Sequence, residues 1–145
     1  MIRPGREDGS ILPLIFGFFA LALALIVVVT AATALYLERS RLYTLADGAA
    51  LAGAGSFAFE ATQLDPAGEA EPHLDDAAVE AAASDYLRRA TAGRSTPVAL
   101  VSAGAPDGRS ANVRLAEDWR PPIVSVFTPR GIRIEVGGDA RTVFW

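Results

Sequence analysis

Residues 11–37, ILPLIFGFFALALALIVVVTAATALYL, carry no charged side chain over 27 positions. About 20 apolar residues suffice to take a helix across the hydrocarbon core of a bilayer, so this stretch predicts a membrane-spanning helix. Pro13 falls in the first turn behind a candidate N-cap, Ser10, where its missing N–H costs nothing. Arg3, Arg6 and the triplet Ala32-Thr33-Ala34 give the run some features of a secretory signal. A signal's apolar core spans only about 7–15 residues, however, and Glu7 and Asp8 interrupt the basic start. A retained anchor is expected. Within it Gly17, Ala20, Ala24, Ala31 and Ala34 fall near one helix face, and small residues let another helix approach closely in lipid. These five are the candidate helix-packing residues.

Helical character continues past residue 37. Glu38 through Asp47 contain no breaker, and Leu42, Leu45, Ala46 and Ala49 recur at helical spacing. A single helix from about residue 11 to about residue 52, stopped by Gly53 and Gly55, would be roughly 60 Å long. That is about twice the hydrocarbon thickness. The outer half must therefore pack on the chain's own domain or on neighbouring helices.

The rest of the 145-residue chain bounds the function by what it lacks. Cysteine is absent, which excludes disulfides, thiolate nucleophiles and Cys-bound zinc. The net charge of −4 gives no reason to expect nucleic acid as a partner. Charge is nevertheless uneven: residues 42–87 hold nine acids and no Arg, whereas residues 88–145 hold nine Arg against five acids. His73 is the only histidine, too few for a triad or a His-based metal site. Gly53-Ala54-Gly55-Ser56-Phe57-Ala58 matches a loose dinucleotide pattern, but it follows a helix where that pattern needs a strand before it. The acids at Glu60, Asp65, Glu69, Glu71, Asp75 and Asp76 lack the alternation of a calcium loop. No cofactor, no metal and no enzymatic activity are expected.

Past the first helix, residues 61–72 are rich in Pro, Gly and acids and predict a loop. Asp75 or Asp76 can cap a second helix reaching about Ala90, with Val79, Ala83, Tyr86, Leu87 and Ala90 as its apolar stripe, Asp85 and Arg89 as an i,i+4 pair, and Gly93 as its stop. Residues 97–103 and 111–116 flank a turn at Gly104-Ala105-Pro106-Asp107-Gly108 and predict a hairpin. The apolar run 123–127 is strand or a single helical turn. Residues 131–136 alternate as a half-buried strand, and Gly137-Gly138 is expected to break the chain before a last strand at 141–145. Trp119 and Trp145 are expected to pack. The fold class is α+β, with a long N-terminal transmembrane helix, a second helix and an antiparallel sheet of three or four strands. Its expected divisions are a short N-terminus (1–10), the membrane helix (11–37), a helix extension (38–54) and the α+β domain (55–145).

Two stretches carry a family likeness. One is Asp8-Gly9-Ser10-Ile11-Leu12-Pro13-Leu14, a Gly-Ser step opening an apolar helix with an early Pro. The other, residues 36–54, places Arg39, Arg41, Leu42, Ala46, Asp47, Ala49, Ala50, Leu51 and Ala52 in a recurrent pattern. Together they resemble TadE/TadG-like proteins of the tight-adherence (Flp) pilus system. The resemblance implies a single-pass inner-membrane protein, N-terminus in and C-terminus out. It further implies a minor pilin-like or pseudopilin component of pilus assembly, or of a related type II/IV-like secretion apparatus. Its implied partners are other pilin-like subunits, the assembly platform and the lipid bilayer, with a homo-oligomer also open. Pseudopilins cleaved by prepilin peptidase carry Glu five residues after the cleavage Gly. Here Leu14 stands five after Gly9, which implies an uncleaved anchor of the TadG-like branch, and the chain is too short for the von Willebrand A domain of longer members. The alternative reading is a membrane-tethered extracytoplasmic binding module unrelated to pili.

Overall fold

A computed structural model describes residues 11–56, 63–64, 70–71, 73–120 and 131–141. Ser10, the run 123–127 and Trp145 lie outside them. The first helix, α1 (Ile11–Ala54), is one unbroken element of 44 residues, about 66 Å long at 1.5 Å per residue. It ends where expected: Gly55 N donates to Leu51 O at 3.0 Å and Ser56 N to Gly53 O at 3.0 Å. Two short strands follow, β1 (Gln63–Leu64) and β2 (Ala70–Glu71), paired antiparallel inside the segment expected to be all loop.

The second helix, α2 (Asp76–Ala90), starts at Asp75, whose carboxylate accepts from Ala78 N at 3.1 Å. Its last turn carries Arg88 and Arg89, favourable at the negative end of the helix dipole. Both reach Asp85, Arg89 at 2.6 Å. Val79, Ala83 and Leu87 are buried and Tyr86 is half-buried. Ala90 is exposed, correcting the expected stripe, because the chain turns away at Thr91, whose N–H bonds back to Leu87 O at 2.8 Å.

Strands β3 (Val98–Gly104), β4 (Ser110–Trp119) and β5 (Ile132–Arg141) form an antiparallel meander in the order β3-β4-β5. Its inner face is lined by Val113, Leu115, Ile134 and Val136, against which α1 lays Leu42, Ala46, Ala49 and Ala50, with Ala83 and Leu87 of α2 beside them. A second, smaller cluster of Ala54, Leu74, Val79, Ala105 and Ala111 closes the far end. Burial of Leu42 and half-burial of Leu45 give the extension of α1 the packing its spacing predicts.

One expectation about the sheet changes. Gly137-Gly138 does not break the chain, because β5 runs through both to Arg141. The reason is steric. A Cβ on Gly138 would lie 2.5 Å from the carbonyl carbon of Ala46 and 2.6 Å from its oxygen, so α1 crosses β5 backbone to backbone at a place only glycine permits. In addition, a register shift between Leu100 and Ser102 makes a bulge in β3, which leaves Val101 47% exposed.

The turn between β3 and β4 is held by Asp107. Its Oδ1 accepts from Arg109 N at 3.0 Å and Ser110 N at 2.7 Å, and Ser110 Oγ donates to Oδ2 at 2.8 Å. These bonds hold the Asp107 carboxyl down at about 2. A depressed carboxyl contributes stability above its ordinary value, lost as pH falls toward the folded one. Asp107→Ala is therefore expected to speed amide exchange at Arg109 and Ser110 near neutral pH. The difference from wild type should shrink as pH falls from 3.8 toward about 2; a pH-independent difference would refute the carboxylate's role.

Candidate functional site

The feature of this fold that its own core does not explain is the first half of α1. Along residues 11–33 almost every side chain is exposed, including Leu14 at 72% and Phe18 at 74%. Contact with the folded domain begins at Ala34 and Leu35, which pack against the main core cluster. The exposed apolar length is thus 23 residues, about 34 Å of helix, close to the ~30 Å of a bilayer's hydrocarbon. The helix is long and apolar enough to cross a membrane.

The candidate packing residues divide along this length. Gly17, Ala20 and Ala24 are exposed, and a Cβ on Gly17 would meet nothing. Ala31 and Ala34 are half-buried, and Ala34 already packs on the chain's own core. The motif residues also divide, by face. Leu42, Ala46, Ala49 and Ala50 are buried against the sheet and Ala52 is half-buried. Asp47 and Leu51 point away from it, Leu51 at 68% exposure. Arg39 stretches along the helix over the Tyr43 ring, 5.6 Å from its centroid, and Arg41 pairs with Glu38 at 3.6 Å.

Where α1 leaves the domain, three charges meet that sequence spacing does not bring together. Arg94, in the turn after α2, donates from Nη2 to Glu38 Oε1 of α1 at 2.6 Å and to Glu117 Oε2 of β4 at 3.1 Å. Glu117 is only 2% exposed. Burial pushes its carboxyl above the ordinary glutamate value, opposed by the charge of Arg94. For Arg94, desolvation works against the charged form, but hydrogen bonding to Glu38 and the charges of both glutamates outweigh it and raise its affinity for its proton. Arg94 Nε is buried without a hydrogen-bond partner among the described residues. One guanidinium thus fastens the helix exit, the turn after α2 and the central strand at one point. The sequence does hold a clue: Val113, Leu115, Glu117 and Trp119 share the inward face of β4, and a carboxylate in such a row requires a cation opposite.

Polar chemistry elsewhere is sparse. His73 is exposed, as expected of a loop residue. Among the described residues no group of three or more His, Asp and Glu stands close enough together to hold a metal ion. An open cleft of about 840 Å³ lies where the start of α2 meets the sheet, bordered by Asp76, Ser102, Asn112, Arg114 and Asp139. Asp76 is already engaged there, accepting from Ala105 N at 2.6 Å.

The geometry thus defines a class: a small α+β domain carried on one long helix whose first half is an exposed apolar rod. A family model described as Putative Flp pilus-assembly TadE/G-like matches residues 9–56. That segment is similar to TadE/G-like proteins of Flp pilus assembly, in keeping with the likeness in the first 55 residues. The match begins two residues before α1 and ends two after it. No curated protein and no solved structure matches the chain.

Proposed function

We propose that this chain is a membrane-anchored, minor pilin-like component of Tad pilus assembly, of the TadG-like branch. In this reading residues 11–33 cross the inner membrane uncleaved, with the N-terminus in the cytoplasm and the α+β domain outside. The role is structural, with no catalytic step. One observation carries the reading: the family match coincides with α1, and α1 joins an exposed apolar rod to a folded domain without a break. A tethered binding module unrelated to pili has no use for that coincidence.

The rod is then the surface offered to other pilin-like subunits in the bilayer, through Gly17, Ala20 and Ala24. Ala24→Leu should block close backbone approach and so weaken lateral association. Co-purification of pilin-like partners with the wild type but less with Ala24→Leu is the expected result. A reporter fused after Trp145 should be active only outside the cytoplasm, and cytoplasmic activity would sink the pilin-like reading. Undiminished co-purification would move partner binding from the rod to the sheet.

A further inference from the structure

The level at which the sheet meets α1 can be worked out from contacts already described. Gly138 touches Ala46. From Gly138, β5 runs back six residues to Ile132, about 20 Å at the rise of a strand. The same distance along α1 is about 13 residues, which reaches Thr33. The bridge from Glu117 through Arg94 to Glu38 fits this alignment, since Glu117 pairs in register with Ile134. Trp119 and Ile132, also register partners, therefore lie level with the last residues of the exposed apolar run. If that run crosses the bilayer, the base of the sheet cannot stand clear of it.

We propose that this base is a lipid-contacting surface. Ile132 sits at the boundary of hydrocarbon and headgroups, and Arg39 and Arg120 pair with phosphates of anionic phospholipids. The inference rests on the reading that residues 11–33 span the membrane. The composition of the base suits the headgroup layer, where amphipathic aromatic and arginine side chains concentrate. Ile132 is 42% exposed and Tyr36 72%, while Arg39, Arg120 and Arg133 are exposed around them. The acids at this level are mostly engaged: Glu38 and Glu117 hold Arg94, and Glu135 holds Arg133 at 2.9 Å. Asp118 remains on the outer face, register partner of Arg133. The opposite end of the domain presents Asp75, Asp76, Asp107 and Asp139 to solvent, more acids than the two arginines beside them, Arg109 and Arg141. The domain is thus polarised, with its arginine-rich end toward the lipid phosphates and its acidic end away from them.

The absence of cysteine allows single-cysteine variants of the full chain. Leu25→Cys, Ile132→Cys and Pro106→Cys would each carry a nitroxide in vesicles containing phosphatidylglycerol, at one chain or fewer per vesicle. Position 25 should be closed to a water-soluble nickel complex and open to oxygen, and position 106 open to nickel. Position 132 should be severalfold less open to nickel than position 106 while remaining open to oxygen, a pair of readings that distinguishes lipid from protein cover. Adding Arg39→Gln and Arg120→Gln, with helicity checked by circular dichroism, should shift the seated population by about fivefold per arginine. A lipid-buried position 25 with position 132 as open to nickel as position 106 overturns this proposal and leaves the anchor standing. Nickel access at position 25 overturns the anchor and the proposal with it. Low access to both colliders at position 132 assigns its cover to protein and overturns the lipid contact. Arginine variants without effect overturn the phosphate contacts.

Discussion

Gly138→Val will separate β5 from α1 and destabilise the domain by about 3 kcal/mol or more, at the upper end of overpacking costs. A side chain at this position would have its first atom 2.5 Å from Ala46 C and 2.7 Å from Asp47 N. Both belong to helix backbone, which cannot rotate aside as a flexible side chain can. The neighbouring glycine supplies the control. A Cβ on Gly137 would meet only Val113 O at 3.8 Å, on the exposed face of the strand. Gly137→Ala should therefore change stability by no more than about 0.5 kcal/mol. Thermal melts of the full chain in detergent, followed by circular dichroism, distinguish the two. Equal melting of Gly138→Val and wild type would disprove the close crossing of helix and strand.

Arg94→Met leaves Glu117 buried and without its cation, a loss of about 3–5 kcal/mol when one partner of a buried pair is removed. The pH dependence follows from the direction of the Glu117 shift. Its folded carboxyl already lies above the ordinary value, mainly through burial, so the folded state holds the proton more tightly than the unfolded one. Stability then falls as pH rises from the unfolded value through the folded one, and the penalty is complete above it. Without Arg94, the main influence lowering the Glu117 value is gone, so the window extends upward. Urea melts should find Arg94→Met closer to wild type in mildly acidic buffer than at slightly alkaline pH. The double variant Arg94→Met, Glu117→Leu should recover much of the loss, because no charge is then left buried. An equal deficit at both pH values, with no recovery in the double variant, would mean that the trio contributes nothing beyond packing.

How much of this was visible in the chain itself depends on whether the determining contact was local. The length of α1 was legible, because an uninterrupted helical pattern needs only its neighbours in sequence. So was the burial of Leu42, Ala46 and Ala49, which share one face by helical period. The start of α2 at its Asp75 cap and the hairpin turn at residues 104–108 were legible for the same reason. Gly137-Gly138 misled because the same dipeptide serves a turn or a close crossing, and only the position of α1 decides between them. The bulge in β3 left no mark in a run of small and apolar residues. The ionic fastening at the helix exit joins residues 56 and 23 positions apart. The alternation of β4 marks Glu117 as inward-facing, but Glu38 and Arg94 look like ordinary surface charges until the sheet is assembled. The small-residue face of α1 was visible from the start, but the part of it already used by the chain, at Ala34, became clear only with the domain in place.

The unbroken course of α1 has a mechanical consequence. The segment that would be gripped by lipid and the segment that forms the spine of the core are one rod, with no proline after Pro13 and no loop to act as a joint. A tilt of the rod at one end is a swing of the domain at the other. Traction along the rod reaches Leu42, Ala46 and the Gly138 crossing directly, as shear between helix and sheet. The domain would therefore travel with its anchor as a single stiff body. It could be left behind only by tearing out its own core, so a force large enough to extract the rod tests the strength of the fold at the same time.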